Sequence, residues 1–232
     1  MLRAILFDVD GTLVDSVDLH ARAWQDALAL YGKQVSLEKI RSQIGKGGDQ
    51  LMPVFLSEPE LARWGQALDH AKAELYEERY RPLVRPFPGV PELFRRIRRD
   101  GKRIVLASSG TTEEVESNLR LLGVEDLVDA FTTADMAERS KPFPDIFCAA
   151  LERAAVEDPD EALVVGDSPY DVEAATRIAL PAVGLLCGGF SEVDLEAAGA
   201  VALYASPRDL LDHYEQSPLG RDSISSGDSA SP

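Results

Sequence analysis

Two aspartates that follow a short apolar segment near the amino terminus are the residues best suited to chemistry. Asp8 and Asp10 come directly after an apolar run that ends at Phe7, and Gly11 and Thr12 follow them. Such a run is typical of a parallel strand that is covered on both faces. While the chain stays extended, alternate side chains point the same way, so the two carboxylates lie together. Because neighbouring unpaired carboxylates are costly, this pair indicates a divalent cation.

A hydroxyl group and a lysine follow two later apolar segments. Ser108 closes the segment RIVLAS, and Ser109 and Gly110 lead into a predicted helix. A hydroxyl group and backbone N–H groups at a helix start can bind an anion. Lys141 stands in SKPFPD, where Pro142 suits the first turn of a helix and costs no hydrogen bond.

A second pair of aspartates follows the segment ALVVGD. Asp167 ends this segment, and Asp171 lies four residues later, one helical turn away. Ligand sets made only of oxygen atoms suit Mg²⁺, which also tends to retain water. The sequence therefore predicts a magnesium site that includes this pair.

The elements that must position these residues alternate between strand and helix in the second part of the chain. Helical patterns separate the first four of five predicted strands, and this alternation indicates right-handed crossovers in a parallel sheet. We therefore predict an α/β fold, with a doubly wound, mostly parallel sheet and a Rossmann-like core. The five strands are predicted at 103–108, 130–133, 162–167, 182–186 and 200–204.

An all-helical insertion is predicted between the first strand and the rest of the sheet. Apolar residues recur at helical spacing from Val17 to Tyr31, and no strand signal appears from 14 to 83. The final segment is rich in Ser, Gly and Pro, and we predict that it is disordered. The predicted boundaries are 1–15 and 84–216 for the core, 16–83 for the insertion and 217–232 for the tail.

Composition excludes several classes of partner. A net charge of -16 argues against a nucleic-acid backbone. No apolar run approaches the ~20 residues that span a bilayer, and no charged leader precedes the first strand. Cys148 and Cys187 are the only cysteines, and both stand in apolar patterns. Free, buried thiols in a reducing cytoplasm are therefore expected.

Four motifs together resemble those of the haloacid dehalogenase-like hydrolases. The segment DVDGT, which contains Asp8 and Asp10, is similar to the first motif of the phosphatase and phosphomutase members. Ser108 matches the second motif, Lys141 the third, and GDSPYD at 166–171 the fourth. The resemblance covers about 1–216 and implies that the helical insertion is a small cap domain.

The resemblance also implies roles for the residues of these motifs. Asp8 would be the nucleophile and Asp10 the general acid/base, while Lys141 would stabilise the nucleophile and the phosphoryl charge. Ser108 would hold the transferring phosphoryl group. The implied Mg²⁺ shell comprises Asp8, the backbone carbonyl of Asp10, Asp167, and Asp171 directly or through water. The implied phosphate contacts also include Thr12, Ser109 and Gly110.

Two residues of the insertion are candidates for contact with the substrate. The segment IGKGGDQLM at 44–52 resembles the cap loop of phosphoglycolate-phosphatase-like members, and Lys46 lies in it. His20 lies near the start of the first cap helix, where it could contact substrate or pack near Trp24.

The function implied is a Mg²⁺-dependent phosphatase that acts through an aspartyl phosphate on a small metabolite, such as phosphoglycolate or a sugar phosphate. The protein would be a monomer or weak dimer. One alternative is a phosphomutase of the β-phosphoglucomutase type, although the cap loop offers Lys46 but no arginine for a second phosphate. Another is a phospho-accepting signalling module, or a non-catalytic binding protein. The length, the helical insertion and the intact motif set argue against the last two.

Overall fold

A six-stranded parallel sheet and a separate two-stranded ribbon organise the chain in this computed structural model, which describes residues 1–221. The described strands are β1 (Ala4–Phe7), β2 (Val14–Asp15), β3 (Arg85–Pro86), β4 (Arg103–Ala107), β5 (Ala130–Thr132), β6 (Ala162–Gly166), β7 (Ala182–Leu185) and β8 (Ala202–Tyr204). The main sheet has the order β5-β4-β1-β6-β7-β8, and its neighbouring strands are parallel. The predicted α/β fold is therefore confirmed.

Helices cover both faces of this sheet. Apolar side chains of alternate strand residues enter two clusters, with Ile5 and Phe7 in one and Ala4 and Leu6 in the other. The described α-helices are α1 (Val17–Leu30), α2 (Leu37–Arg41), α3 (Gly48–Phe55), α4 (Glu58–Leu75), α5 (Val90–Arg99), α6 (Thr112–Leu122), α7 (Asp145–Ala154), α8 (Pro169–Thr176), α9 (Glu192–Ala198) and α10 (Pro207–Asp212).

Strand β1 lies in the middle of the sheet, between β4 and β6. Phe7, its last residue, is in register with Leu106 of β4 and with Val165 of β6. From β4 the chain continues to β5 at one edge of the sheet, and from β6 it continues through β7 to β8 at the other edge. The carboxyl end of β1 therefore lies at a topological switch point. Ligands of open α/β sheets bind at the carboxyl ends of the strands at such a point.

Helices α1 to α4 form an apolar cluster of their own. Trp24, Leu28, Ile40, Leu51 and Leu68 are among its buried members. The segment begins and ends at the ribbon of β2 and β3, whose strands are antiparallel. The sequence analysis found no strand signal here, because two-residue strands are too short to show a period. We propose this ribbon as the boundary of a cap domain at 16–83.

The sequence analysis did not predict helix α9. Its start is marked by a capping box, in which the Ser191 hydroxyl accepts from the Asp194 backbone N–H and also donates to the Asp194 carboxylate. Gly199 ends the helix in the left-handed conformation. These two signals were present in the sequence, and they are standard marks of a helix start and stop.

The predicted disordered tail begins too early, and this boundary requires a correction. Ser217 and Leu219 are fully buried, and Leu219 belongs to one of the two apolar clusters of the sheet. Lys102 Nζ donates a 2.6 Å hydrogen bond to the Leu219 carbonyl. The Ser217 hydroxyl also donates a 2.6 Å hydrogen bond to the Tyr214 carbonyl, so residues 217–221 are held by both local and nonlocal contacts. The remainder of the predicted tail, 222–232, lies outside the described residues.

Two other sequence predictions concern the cysteines and the membrane. Cys148 and Cys187 are both free thiols, but Cys148 is exposed rather than buried because it faces outward on α7. Within residues 1–221, no helix combines the length and the apolar character that a membrane span requires.

Candidate active site

Lys141 lies among three buried carboxylates at the carboxyl ends of the central strands. Its Nζ is 2.5 Å from Asp8 Oδ1 and 2.7 Å from Asp171 Oδ1. The same ammonium group donates a 2.9 Å hydrogen bond to the Ala107 carbonyl at the end of β4. Lys141 is fully buried, and Asp8 and Asp171 are nearly so. Asp8 of the first motif, Lys141 of the third and Asp171 of the fourth therefore meet at one point. Asp167, also of the fourth motif, lies beside them.

Burial and crowding shift the proton affinities of this cluster. Burial raises the pKa of Asp8 to about 7, although the Lys141 ammonium opposes the shift. Burial and the carboxylates of Asp8 and Asp171 raise the pKa of Asp167 well above its usual value. Burial alone would lower the pKa of Lys141, but Asp171 and Asp8 outweigh it and raise that pKa. The cluster therefore carries more negative charge than one ammonium group neutralises.

The two aspartates of the fourth motif are held by local contacts. Ser168 caps helix α8, and its hydroxyl donates a 2.6 Å hydrogen bond to Asp171 Oδ2. The Thr12 hydroxyl donates a 3.1 Å hydrogen bond to Asp167 Oδ1. Thr12 is completely buried and therefore contacts Asp167 rather than the open cavity. Thr12 is therefore placed to orient the Asp167 carboxylate, whereas the sequence analysis expected Thr12 to contact the phosphate.

The three carboxylates fit a hard divalent cation. One oxygen from each of Asp8, Asp167 and Asp171 lies within 4.8 Å of the other two, and all three residues are buried. Oxygen-only donors and an uncompensated negative charge are what Mg²⁺ requires. The Asp10 side chain lies outside this trio.

Asp10 is held by a separate set of partners. The Ser16 hydroxyl donates a 2.6 Å hydrogen bond to Asp10 Oδ1, and His20 Nε2 lies 3.1 Å from the same oxygen. The His20 ring stacks on Tyr76 of the cap segment at 3.9 Å between centroids. Burial would raise the pKa of Asp10, but the charge of His20 and the hydrogen bonds from His20 and Ser16 lower it to about 2.

The residues after β4 form a turn before helix α6. Ser108 is 1% exposed, and its Oγ accepts a 3.0 Å hydrogen bond from the Gly110 backbone N–H. Ser109 and Gly110 line the same cavity as Asp8 and Asp10. The helix itself is capped by Thr111 rather than by Ser108. Ser109 and Gly110 therefore reach the cavity, whereas Ser108 itself is buried behind them.

A cavity of about 370 Å³ lies between the sheet and the cap segment. Asp8 and Asp10 lie on its sheet side, and His20 and Lys46 also line it. Lys46 Nζ donates a 2.6 Å hydrogen bond to Gln43 Oε1 and lies 4.5 Å from the centroid of the Tyr170 ring. Both cap residues named by the sequence analysis therefore reach the cavity, but each already has protein partners.

The sequence analysis missed several residues around this cavity. Asp69 and Lys72 of helix α4 line it. Tyr76, which stacks on His20, follows them at the spacing of one helical face. Trp24 of α1 and Glu114 of α6 line the cavity as well. The spacing of 69, 72 and 76 was visible in the sequence, but only the packing of α4 shows that this face is turned toward the site.

Besides the bonds of Ser16 and His20 to Asp10, further polar contacts join the cap segment to the core near the site. Arg41 donates hydrogen bonds of 2.9 and 3.3 Å to the carbonyls of Gly188 and Gly189, and its Nε is 2.7 Å from Asp18. A Cβ atom at Gly188 would overlap the Asp167 carboxylate, so this turn presses directly on a candidate ligand. The other two contacts are Tyr170 to the Ser42 carbonyl at 2.6 Å and the Ser140 N–H to Asp49 at 3.1 Å.

Comparison with known proteins places this geometry in a known group. Residues 2–178 match the family model of the haloacid dehalogenase-like hydrolases. A "phosphorylated carbohydrates phosphatase" from Thermotoga maritima is 29% identical over 214 residues, which cover 90% of this chain and 97% of that protein. Phosphoglycolate phosphatase 1 from Pseudomonas aeruginosa is 29% identical, over 97% of this chain and 86% of its own. The crystal structure of a hydrolase from Pseudomonas syringae superimposes with a TM-score of 0.84 at 31% identity, and covers 92% of this chain and 98% of its own.

Proposed function

The chain belongs to the haloacid dehalogenase-like hydrolases and is a phosphatase of that family, and we propose that it hydrolyses a small phosphorylated metabolite through an aspartyl phosphate on Asp8. The observation that carries this proposal is the buried contact of Asp8 with Lys141 beside Asp167 and Asp171. We further propose that Mg²⁺ is the cation and that the protein works in the cytoplasm as a monomer or weak dimer.

The first step requires Asp8 to act as a nucleophile. One carboxylate oxygen attacks phosphorus in line with the leaving oxygen, so that a P–O bond to Asp8 forms while the ester P–O bond breaks. Lys141, at 2.5 Å, fixes the carboxylate and offsets its charge as the phosphoryl group approaches. Ser109 and Gly110 line the same cavity and supply donors for the phosphoryl oxygens.

Asp10 is proposed to handle the protons of both steps. Its low pKa keeps Asp10 ionised in the free protein, so it can accept a proton from the water that cleaves the aspartyl phosphate but has none of its own to donate. To protonate the leaving oxygen in the first step, Asp10 must receive a proton. The phosphate monoester can bring this proton, because its second ionisation lies near pH 6. His20 and Ser16 hold the carboxylate in place throughout.

A bound Mg²⁺ would supply charge neutralisation for the phosphoryl oxygens and for the crowded carboxylates. Asp8, Asp167 and Asp171 are the side chains that would hold it, with the Asp10 backbone carbonyl. Thr12 and the turn at Gly188 fix the Asp167 carboxylate from two sides.

The alternatives raised by the sequence receive less support. A phosphomutase of the β-phosphoglucomutase type must hold a second phosphate in the cap, and Lys46 is already bonded to Gln43 and placed on Tyr170. A phospho-accepting signalling module does not need a cavity for a small molecule, whereas this chain has one of about 370 Å³ beside Asp8 and Asp10.

The proposal is tested with p-nitrophenyl phosphate and purified protein. We expect turnover that depends on Mg²⁺ and disappears with a chelator. Asp8→Asn should abolish it without a change in the circular dichroism spectrum, because an amide cannot accept the phosphoryl group. Asp126→Asn, an exposed aspartate far from the motifs, is the matched control and should behave as the wild type. Acid quenching during turnover should yield a phosphorylated peptide that contains Asp8. Full activity of Asp8→Asn, after deamidation is excluded, would remove it as nucleophile.

A further inference from the structure

A loop of the cap segment lies directly against two serines of the core that adjoin the charged cluster. We call this loop, residues 45–49, the glycine loop. A Cβ atom on Gly45 would lie 2.6 Å from Ser168 Oγ, and a Cβ atom on Gly47 would overlap Ser140 Oγ. Each glycine therefore meets its serine at a separation that leaves no room for a side chain.

The first of these serines holds one of the carboxylates that could bind a metal. Ser168 is completely buried, and its hydroxyl donates a 2.6 Å hydrogen bond to Asp171 Oδ2. The Ser168 backbone N–H donates to the same oxygen at 3.1 Å. The other oxygen of Asp171 lies 2.7 Å from Lys141 Nζ. Because Gly45 packs on the Ser168 side chain, the glycine loop limits where this hydroxyl can point, and so limits the position of the Asp171 carboxylate.

The second serine directly precedes the lysine of the cluster. The Ser140 backbone N–H donates a 3.1 Å hydrogen bond to Asp49 Oδ2 of the glycine loop, while Gly47 packs on the Ser140 side chain. The loop therefore holds Ser140 through both its backbone and its side chain. Since Lys141 is the next residue and is completely buried, a displacement of Ser140 would also move the start of the segment that carries the Lys141 ammonium group.

A third core residue fastens the glycine loop from outside. The Tyr170 hydroxyl donates a 2.6 Å hydrogen bond to the Ser42 carbonyl, just before the loop. Lys46, within the loop, places its ammonium group 4.5 Å from the centroid of the Tyr170 ring and donates to Gln43. Tyr170 directly precedes Asp171 in the chain. All three core residues that the loop and its neighbour Ser42 touch are therefore adjacent in sequence to a residue of the charged cluster.

We propose that the glycine loop is a positioning element for the metal site: when it lies on Ser140 and Ser168, Asp171 and Lys141 keep the arrangement that binds Mg²⁺ more tightly, and when it lifts, the affinity falls. The inference rests on the Mg²⁺-dependent function proposed above. Loss of the partners that orient a metal ligand typically lowers metal affinity about 10–100-fold. Coupling between two sites is reciprocal, so bound Mg²⁺ must also favour the seated loop by the same factor.

Hydrogen exchange of the wild-type protein tests the reciprocal effect without any substitution. We expect saturating Mg²⁺ to slow exchange of the backbone amides of residues 45–49 by about fivefold or more, the lower end of typical coupling between sites. The amides of α10 should be slowed less, because that helix has no contact with the loop. The three carboxylates that could bind the ion all lie outside the glycine loop, so slower exchange there reports the position of the loop.

Two variants and a matched control test the effect on affinity by titration calorimetry with Mg²⁺. Gly47 has a φ of -76°, which any residue adopts, so Gly47→Ala adds only the overlap with Ser140. It should raise the Mg²⁺ dissociation constant by about fivefold or more. Tyr170→Phe removes the bond to the Ser42 carbonyl without adding bulk, and should raise the constant in the same direction by a smaller factor. Gly65→Ala is the control in the cap segment, because a Cβ atom there meets nothing within 4 Å, and it should leave the constant unchanged.

Two results would overturn the inference, and they differ from failure of the proposed function. If the wild type binds Mg²⁺ but exchange in the glycine loop slows no more than in α10, the ion and the loop are not coupled. If the folded variants Gly47→Ala and Tyr170→Phe bind Mg²⁺ as tightly as Gly65→Ala, the loop does not position the site. If the wild type itself binds no Mg²⁺ and hydrolyses p-nitrophenyl phosphate without it, the proposed metal dependence fails and this inference fails with it.

Discussion

Removal of the residues that follow Gln216 is expected to destabilise the protein strongly. Leu219 is completely buried in the apolar cluster on one face of the sheet. Its carbonyl accepts a hydrogen bond from Lys102, whose side chain is only 8% exposed. Truncation after Gln216 therefore leaves both an unfilled apolar space and a buried ammonium group that has lost a partner.

The size of the effect follows from these two losses. Emptying a fully buried leucine site costs about 2–5 kcal/mol in the free energy of unfolding. Leaving the Lys102 ammonium without the Leu219 carbonyl adds about 1–3 kcal/mol, because Asp100 at 3.6 Å is too distant for a hydrogen bond. For a chain of this length, each 1 kcal/mol lowers the melting temperature by about 2–4 °C. Truncation after Gln216 should therefore lower it by about 6 °C at least.

Thermal unfolding followed by circular dichroism measures this effect across a short series. Truncation after Arg221 retains the packed segment and should melt within about 2 °C of the full chain. Leu219→Ala loses the apolar contact but keeps the carbonyl, so it should fall between the two truncations. Leu30→Ala is the matched control, because this helical leucine is 69% exposed and its removal creates no cavity. Equal melting temperatures for the two truncations would refute the packing argument.

Three further predictions concern the site. Asp10→Asn should lower kcat on an alkyl phosphate by about 10²–10⁴, the usual cost of losing a general acid/base; a loss under tenfold would mean that another group moves the proton. Lys141→Met should lower the free energy of unfolding in urea by about 3–5 kcal/mol, since the carboxylates lose their buried counter-charge; a change under about 1 kcal/mol would show that the ion pairs contribute little. Arg41→Ala should raise the Mg²⁺ concentration that gives half-maximal protection against thermal unfolding by about threefold to tenfold, because Arg41 holds the turn at Gly188 against Asp167. The effect should be smaller than the loss of a residue that bonds directly to a metal ligand. Arg103→Ala removes a similar bond to the Ala154 carbonyl far from the site and should leave this Mg²⁺ concentration unchanged. If Arg41→Ala and Arg103→Ala change it equally, the proposed role of Arg41 is refuted.

The sequence by itself was sufficient for the fold class and for the family. Most strands and helices of the core carry a local pattern, and Asp8, Ser108 and Asp167 come directly after strands whose apolar runs are plain. In a doubly wound sheet, the carboxyl ends of adjacent central strands meet at one edge. The convergence of Asp8, Ser108 and Asp167 could therefore be predicted before any distance was known, whereas Lys141, which lies beyond the edge strand β5, was assigned through the family resemblance.

The tertiary structure alone decided which partners these residues and their neighbours have. Composition indicated disorder after Gln216, yet residues 217–221 pack on the core, because the burial of Leu219 and its bond to Lys102 are nonlocal contacts that composition does not show. His20 and Thr12 reach Asp10 and Asp167, and Asp69 reaches the cavity, only because helices and turns distant in sequence pack together. Local patterns specify which face of an element is apolar, but the neighbour that meets a polar side chain depends on the packing of the whole chain.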